Sequence, residues 1–297
     1  MIDPNAVITY AQYNEDMILA ALFYDIEKGF YIDIGANYHV IDSVTFYFYM
    51  KGWRGINIEP VTSLYKQLKT ERPEDMNLCI GIGAKKGTAV LREYPKLHGH
   101  STFSETEKEG HKQEEYVDRK VQIETLNDIF HKYVKGPVHF VKIDVEGFES
   151  EVVAGNDWAK NRPEVVCIEA NHDKDLGWRK ALTSNKYKLF ISDSLNEYYI
   201  AEEAWSRTSG FQERVIKLDY HALKQHQYQS WSEDSKTLTK LHELVARQHE
   251  EILRLQQNVT KLSKNALTGV SYPERLKRSA KGLTTEWAKE HKKRKSK

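Results

Sequence analysis

The run Phe30-Tyr31-Ile32-Asp33-Ile34 is almost continuously apolar, and Gly35 breaks it. A strand that is apolar on both faces must be covered on both faces. That is the environment of a parallel sheet with helices above and below it. The same kind of run recurs at residues 55–59, 77–82, 138–144 and 164–170. Between these runs, residues 14–26, 43–50, 61–69, 124–134 and 148–154 read as helices, with Gly52 ending the second and Gly155 at the C′ position of the last. Residues 88–94 read as a further strand. Residues 95–115, polar and rich in Gly, His and Ser, read as a loop or lid. Residues 187–192 and 197–201 read as a closing antiparallel pair. Strands alternating with helices predict a doubly wound α/β sheet.

The pattern changes after Ala204. Leu238, Val245, Ile252, Val259 and Ala266 fall on one heptad position, and Leu241, Gln248, Leu255 and Leu262 on the other. Four heptads in phase predict a coiled coil, and branched residues at a with leucine at d favour a parallel pair. A single amphipathic helix packed on its own domain is the alternative. From Tyr272 to the end, ten Lys and Arg face three acidic residues. Leu276, Ala280, Leu283 and Trp287 share one helical face there, a pattern suited to an anionic membrane surface or an acidic partner, or else to a solvated tail. The expected division is 1–204 catalytic domain, 205–235 linker, 236–266 coiled coil and 267–297 basic amphipathic tail.

The bulk composition narrows the function. The formal net charge is +1, which argues against a nucleic-acid binder. Cys79 and Cys167 lie in separate apolar runs, without the spacing of a zinc site, and read as free thiols. The first residues, Met1-Ile2-Asp3-Pro4, carry no basic, apolar leader, and no run reaches the ~18–20 apolar residues of a membrane span. A cytoplasmic protein is expected.

Three motifs carry the chemistry. Asp33-Ile34-Gly35-Ala36-Asn37 follows the first strand, where open α/β sheets bind ligands. It lacks the glycines of G-x-G-x-x-G, so it suits a nucleoside without a pyrophosphate better than a dinucleotide. Glu59 ends the second strand, where a carboxylate commonly accepts hydrogen bonds from ribose hydroxyls. Val141-Lys142-Ile143-Asp144-Val145-Glu146-Gly147-Phe148-Glu149 crowds carboxylates at the rim of the fourth strand. Such crowding opposes stability and therefore points to function.

These stretches, with Tyr10 to Asp16, Asp42-Ser43-Val44-Thr45 and Gly52 to Pro60, resemble the FkbM family of methyltransferases, from about Thr9 to Glu202. The resemblance implies a class I, Rossmann-like sheet of about seven strands. It implies S-adenosylmethionine as cofactor, with Asp33, Gly35, Asn37, Ser43, Glu59 and Asp144 around it. It also implies O-methylation, often of sugars on bacterial surface glycans or of natural products. Gly81-Ile82-Gly83-Ala84 departs from the family pattern, because the acidic group at the end of the third strand is absent.

Methyl transfer to a hydroxyl needs alignment and a proton acceptor. The candidate catalytic residues are Asp144, Glu146, His172 and Lys142, with His39 as a further base. Asp144, Glu169 and Asn171 could instead supply oxygen ligands to Mg²⁺. The loop 97–103 is the expected acceptor contact. The leading expectation is a sugar O-methyltransferase of surface-polysaccharide assembly, oligomeric through residues 238–266 and held at the inner membrane face or a glycan-assembly partner by its tail. A small-molecule O-methyltransferase and a non-catalytic scaffold are the alternatives.

Overall fold

A computed structural model describes residues 9–170, 177–193 and 195–217 of the chain. Among the described residues ten strands form in chain order: β1 (Phe30–Ile34), β2 (Arg54–Ile58), β3 (Met76–Leu78), β4 (Gly81–Ile82), β5 (Gly87–Glu93), β6 (Val117–Glu124), β7 (Phe140–Ile143), β8 (Val165–Glu169), β9 (Tyr187–Ser192) and β10 (Asn196–Ala201). The helices are α1 (Glu15–Leu22), α2 (Phe46–Met50), α3 (Thr62–Glu71), α4 (Glu105–Gly110), α5 (Leu126–Tyr133), α6 (Glu149–Ala154), α7 (Gly177–Ser184) and α8 (Phe211–Lys217).

Seven strands make one sheet in the order β3-β2-β1-β7-β8-β10-β9. The first five run parallel, and β10 is antiparallel to both β8 and β9. The expected seven-stranded, Rossmann-like sheet is therefore present. Its centre is dry: Ile32, Ile56, Val141, Val166 and Ile168 are fully buried, and each such side chain contributes about 1.5–3 kcal/mol. The direction of winding reverses between β1 and β7. The crevice outside the carboxyl ends of those neighbours is where such sheets bind ligands.

Several elements differ from expectation, each for a local reason. The run 77–82 is not one strand. β3 stays in the large sheet, while β4 crosses to a second, three-stranded sheet of order β4-β6-β5. Gly81 permits that crossing, since a Cβ there would stand 2.6 Å from Ile123 Cδ1 and 2.8 Å from Phe103 Cζ. Residues 95–115 are not a featureless loop. They contain a 3-10 turn, His98–His100, and α4, whose N-cap Ser104 accepts from the Glu107 amide. The expected helix 43–50 begins only at Phe46, after Asp42 turns the backbone to φ 54°. Gly155 does not take the left-handed conformation of a C′ glycine; its φ is −80°. It is glycine because a Cβ would lie 2.3 Å from the Gly83 carbonyl oxygen.

Cys79 and Cys167 are free thiols. Among the described residues no helix is long and apolar enough to cross a membrane. The expected coiled coil and basic tail, residues 218–235 of the expected linker, Asn171 and His172 lie outside the described residues.

Candidate active site

The rim of the large sheet is built around the turn after β1. Gly35 has φ +77°, and a Cβ on it would meet the Asp144 carbonyl oxygen at 1.8 Å. The loops after β1 and β7 thus touch backbone to backbone, and only glycine fits between them. The Gly35 and Ala36 amides donate to the Ile58 carbonyl at 3.0 and 3.2 Å, which ties the same turn to the end of β2.

Asp33 and Glu59 flank this turn. Asp33 is buried and its Oδ2 accepts from Thr45 Oγ1 at 2.6 Å. Asp33 Oδ1 is buried without a hydrogen-bond donor among the described residues; its nearest cation is Lys142 Nζ at 3.7 Å. Glu59 Oε2 accepts from the Asn37 amide and Oε1 from the Val61 amide, each at 2.8 Å. Burial pushes Glu59 up to about 7 despite those two amides. Asn37 sits at φ 54°, a left-handed conformation that asparagine tolerates, and its side-chain oxygen is also a buried acceptor without a donor among the described residues.

Lys142 joins the two halves of the rim. It is buried on β7 and donates to the Gly35 carbonyl at 2.8 Å. It also lies 3.2 Å from Asp144 Oδ2. Burial opposes its charge, but the carboxylates of Asp144 and Asp33 outweigh that and hold its ammonium well above the usual lysine range. Beyond it, Asp144, Glu146 and Glu169 bring one carboxylate oxygen each to within 4.8 Å of one another. Glu149 lies behind them, accepting from the Val145 and Gly147 amides, and burial raises it to about 7.

The sequence-predicted residues Asp33, Gly35, Asn37, Glu59, Lys142, Asp144, Glu146 and Glu169 therefore converge on one rim. Ser43 is placed differently: it is fully buried on the far side of Asp33, where its hydroxyl accepts from Arg72 Nη1 at 3.3 Å. His39 lies on the turn after β1, half-buried, with Nδ1 lacking a partner among the described residues.

The segment 98–107 roofs the rim. Thr102 Oγ1 donates to the Glu146 carbonyl at 2.6 Å. Ser104 and Glu107 pack so closely on Gly147, at φ +85°, that a Cβ there would approach Glu107 Cγ to 2.8 Å. The His98 ring meets Tyr38 edge-on at 6.3 Å between centroids, and Gly99 lies over the Asn37 side-chain amide. His98 Nδ1 is buried and has no partner among the described residues.

Sequence reasoning missed three contributors. Glu15, on α1, is buried and accepts from the Tyr13 amide and from Asn196 Nδ2; burial raises it to about 7. Thr45 and Arg72 stand behind Asp33. Glu15 stands between Asn14 and Asp16 at the polar start of α1, where an acidic residue carries no special signal. Arg72, at the end of α3 beside other charged residues, gave none.

A family profile, the methyltransferase FkbM domain, matches residues 33–197, more than half of the chain. No curated protein matches the chain closely enough to count as a relative.

Proposed function

Since the chain belongs to the FkbM family of methyltransferases, we propose that it is an S-adenosylmethionine-dependent O-methyltransferase acting on a sugar hydroxyl. The observation that carries the cofactor reading is the pair of buried acceptors beside the Gly35 turn, Asp33 Oδ1 and Asn37 Oδ1, to which no described group donates a hydrogen bond. Buried acceptors left unserved are costly, and an amino-acid ammonium is the kind of donor that would satisfy them. Glu59, already oriented by two amides, retains lone pairs for ribose hydroxyls. The residues present thus fit the nucleoside.

Adenosylmethionine, when bound, supplies an electrophilic methyl group on a sulfonium. The chain's own residues do the rest. The segment 98–107, packed on Asn37 and Gly147, would confine the acceptor and exclude water. Asp144 and Glu146, in the loop after β7, would serve as proton acceptors for the hydroxyl, with His98, against Tyr38, and His39, on the turn after β1, as further candidate bases. Lys142 holds Asp144 in place at 3.2 Å and keeps that corner from carrying unrelieved negative charge.

A second reading of the same corner is favoured by one observation: Asp144, Glu146 and Glu169 present oxygens close enough to share one divalent cation. Mg²⁺ there would align the acceptor oxygen and lower its pKa. Loss of turnover on chelation, restored by Mg²⁺, is the expected outcome of that reading, and turnover indifferent to chelator removes it.

The wider role is part of the same proposal. Surface-polysaccharide assembly, with the methyl group capping a chain, fits an enzyme that pairs through residues 238–266 and stays cytoplasmic, at the inner membrane face, through its basic tail. A small-molecule acceptor is the rival substrate. The deciding experiment incubates the protein with methyl-labelled adenosylmethionine and extracted lipid-linked glycans. Label in the glycan supports the reading, label only in small molecules favours the rival, and no cofactor binding by calorimetry leaves a non-catalytic scaffold.

A further inference from the structure

Behind Asp33 lies a polar chain that none of the chemistry above uses. Arg72 caps the C-terminus of α3, where an arginine ordinarily reaches into solvent; here its exposure is 0%. Its Nε donates to Asp75 Oδ2 at 3.0 Å, and its Nη2 to Tyr31 Oη at 2.7 Å and Thr45 Oγ1 at 3.0 Å. Thr45 caps the N-terminus of α2, yet its hydroxyl makes no capping bond to that helix. A threonine at this position usually accepts from the first-turn amides. This one instead donates to Asp33 Oδ2 at 2.6 Å.

The direction of these bonds is forced. A guanidinium has donors and no acceptor, so the Thr45 oxygen must accept from Arg72 and its single proton is left for Asp33. The hydroxyl therefore cannot turn away, and Asp33 Oδ2 is engaged from behind. The other oxygen, Oδ1, is thereby fixed toward the Gly35 turn, where it stands without a donor. An aspartate lacking this backing could rotate about its Cα–Cβ and Cβ–Cγ bonds and meet its ligand less often in the right geometry.

We propose that Thr45 and Arg72 are positioning residues for the cofactor site: Arg72 polarises and orients the Thr45 hydroxyl, and Thr45 presents Asp33 to the amino-acid end of the nucleoside. The inference rests on the adenosylmethionine reading of that site.

Three variants separate positioning from simple core support. Thr45→Val keeps the shape and removes the hydroxyl. Thr45→Ser keeps the hydroxyl. Tyr31→Phe removes a different hydroxyl from the same arginine, one that donates to Asp75 at 2.7 Å and does not touch Asp33. Binding of adenosylmethionine is measured by calorimetry on the full chain, alongside each variant's thermal midpoint. The expected result is that Thr45→Val binds at least about tenfold more weakly, the loss of one hydrogen bond to a charged group. Thr45→Ser restores affinity, and Tyr31→Phe lowers the thermal midpoint while binding like the parent. Thr45→Ala carries the same test if the valine variant does not fold. Equal binding by Thr45→Val and the parent overturns the inference alone, as does affinity that merely tracks the thermal midpoint across all variants. A parent protein that binds no adenosylmethionine overturns the cofactor reading, and the inference with it.

Discussion

The two sides of the rim solve opposite problems. On the β1–β2 side, each carboxylate is held by the protein itself: Asp33 by Thr45, and Glu59 by the amides of Asn37 and Val61. On the β7–β8 side, Asp144, Glu146 and Glu169 bring carboxylate oxygens to within 4.8 Å of one another, and the buried Lys142 ammonium lies 3.2 Å from Asp144. The first side is ordered before any ligand arrives and offers fixed acceptors. The second is left rich in negative charge. Preorganised acceptors suit a nucleoside with hydroxyl and ammonium donors. Concentrated negative charge suits the steps that involve a cation or a departing proton.

The sharpest way to break this contrast is to remove the ammonium on which both sides depend. Lys142→Met leaves Asp33 and Asp144 without their shared cation. It is expected to destabilise the protein by about 3–5 kcal/mol, as for a buried pair that loses one partner; urea unfolding measures it. Adding Asp144→Asn should recover part of that loss, and a cycle showing strict additivity would mean that the two groups are not coupled.

A smaller effect is expected from the ordered side alone. Glu59→Gln keeps the shape but sets an amide NH₂ where an acceptor is needed, so adenosylmethionine affinity should fall about tenfold. Glu169→Gln, on the crowded side, should change affinity less and alter the response to divalent cations instead. Titration calorimetry with and without Mg²⁺ compares them, and identical responses would erase the distinction between the sides.

The same comparison can be tested through pH. Burial lifts Glu15, Glu59 and Glu149 from 4.5 to about 7 in the folded chain. The folded state thus binds these protons more tightly than the unfolded state, and stability falls as pH rises through that window. The thermal midpoint of the ligand-free protein should decline from about pH 5 to about pH 7.5, and less steeply in Glu59→Gln. Adenosylmethionine affinity should move the other way, rising as Glu59 ionises and becomes the better acceptor. Scanning calorimetry over that range, repeated with the ligand, checks both signs.

Much of the site was legible because it is local in sequence. Asp33 and Gly35 are two residues apart, Lys142 to Glu146 lie within five, and each motif abuts an apolar run that could only be an interior strand. Helix and strand ends were legible to within a few residues for the same reason. The second sheet was not. β6 exposes most of its side chains and drew no expectation from the sequence; it is a strand because β5 and β4 pair with it. The division of 77–82 into β3 and β4 was equally hidden, since its cause is the lack of space between Gly81, Ile123 and Phe103. The Arg72–Thr45–Asp33 chain was invisible in the sequence: Thr45 looks like a helix cap and Arg72 like a surface charge.

By itself, the sequence determined the class of fold and which loops would reach the rim of the sheet, because short apolar runs are buried here as central parallel strands and the polar residues that close them must emerge at the rim. Only the tertiary structure decided which carboxylates share a neighbourhood, what covers them, and which side chain orients Asp33. Those relations depend on distances across strands and loops far apart in the chain, such as the 2.8 Å from Lys142 to the Gly35 carbonyl. No periodicity along the chain encodes such a distance; it exists only once both elements are packed against a common core.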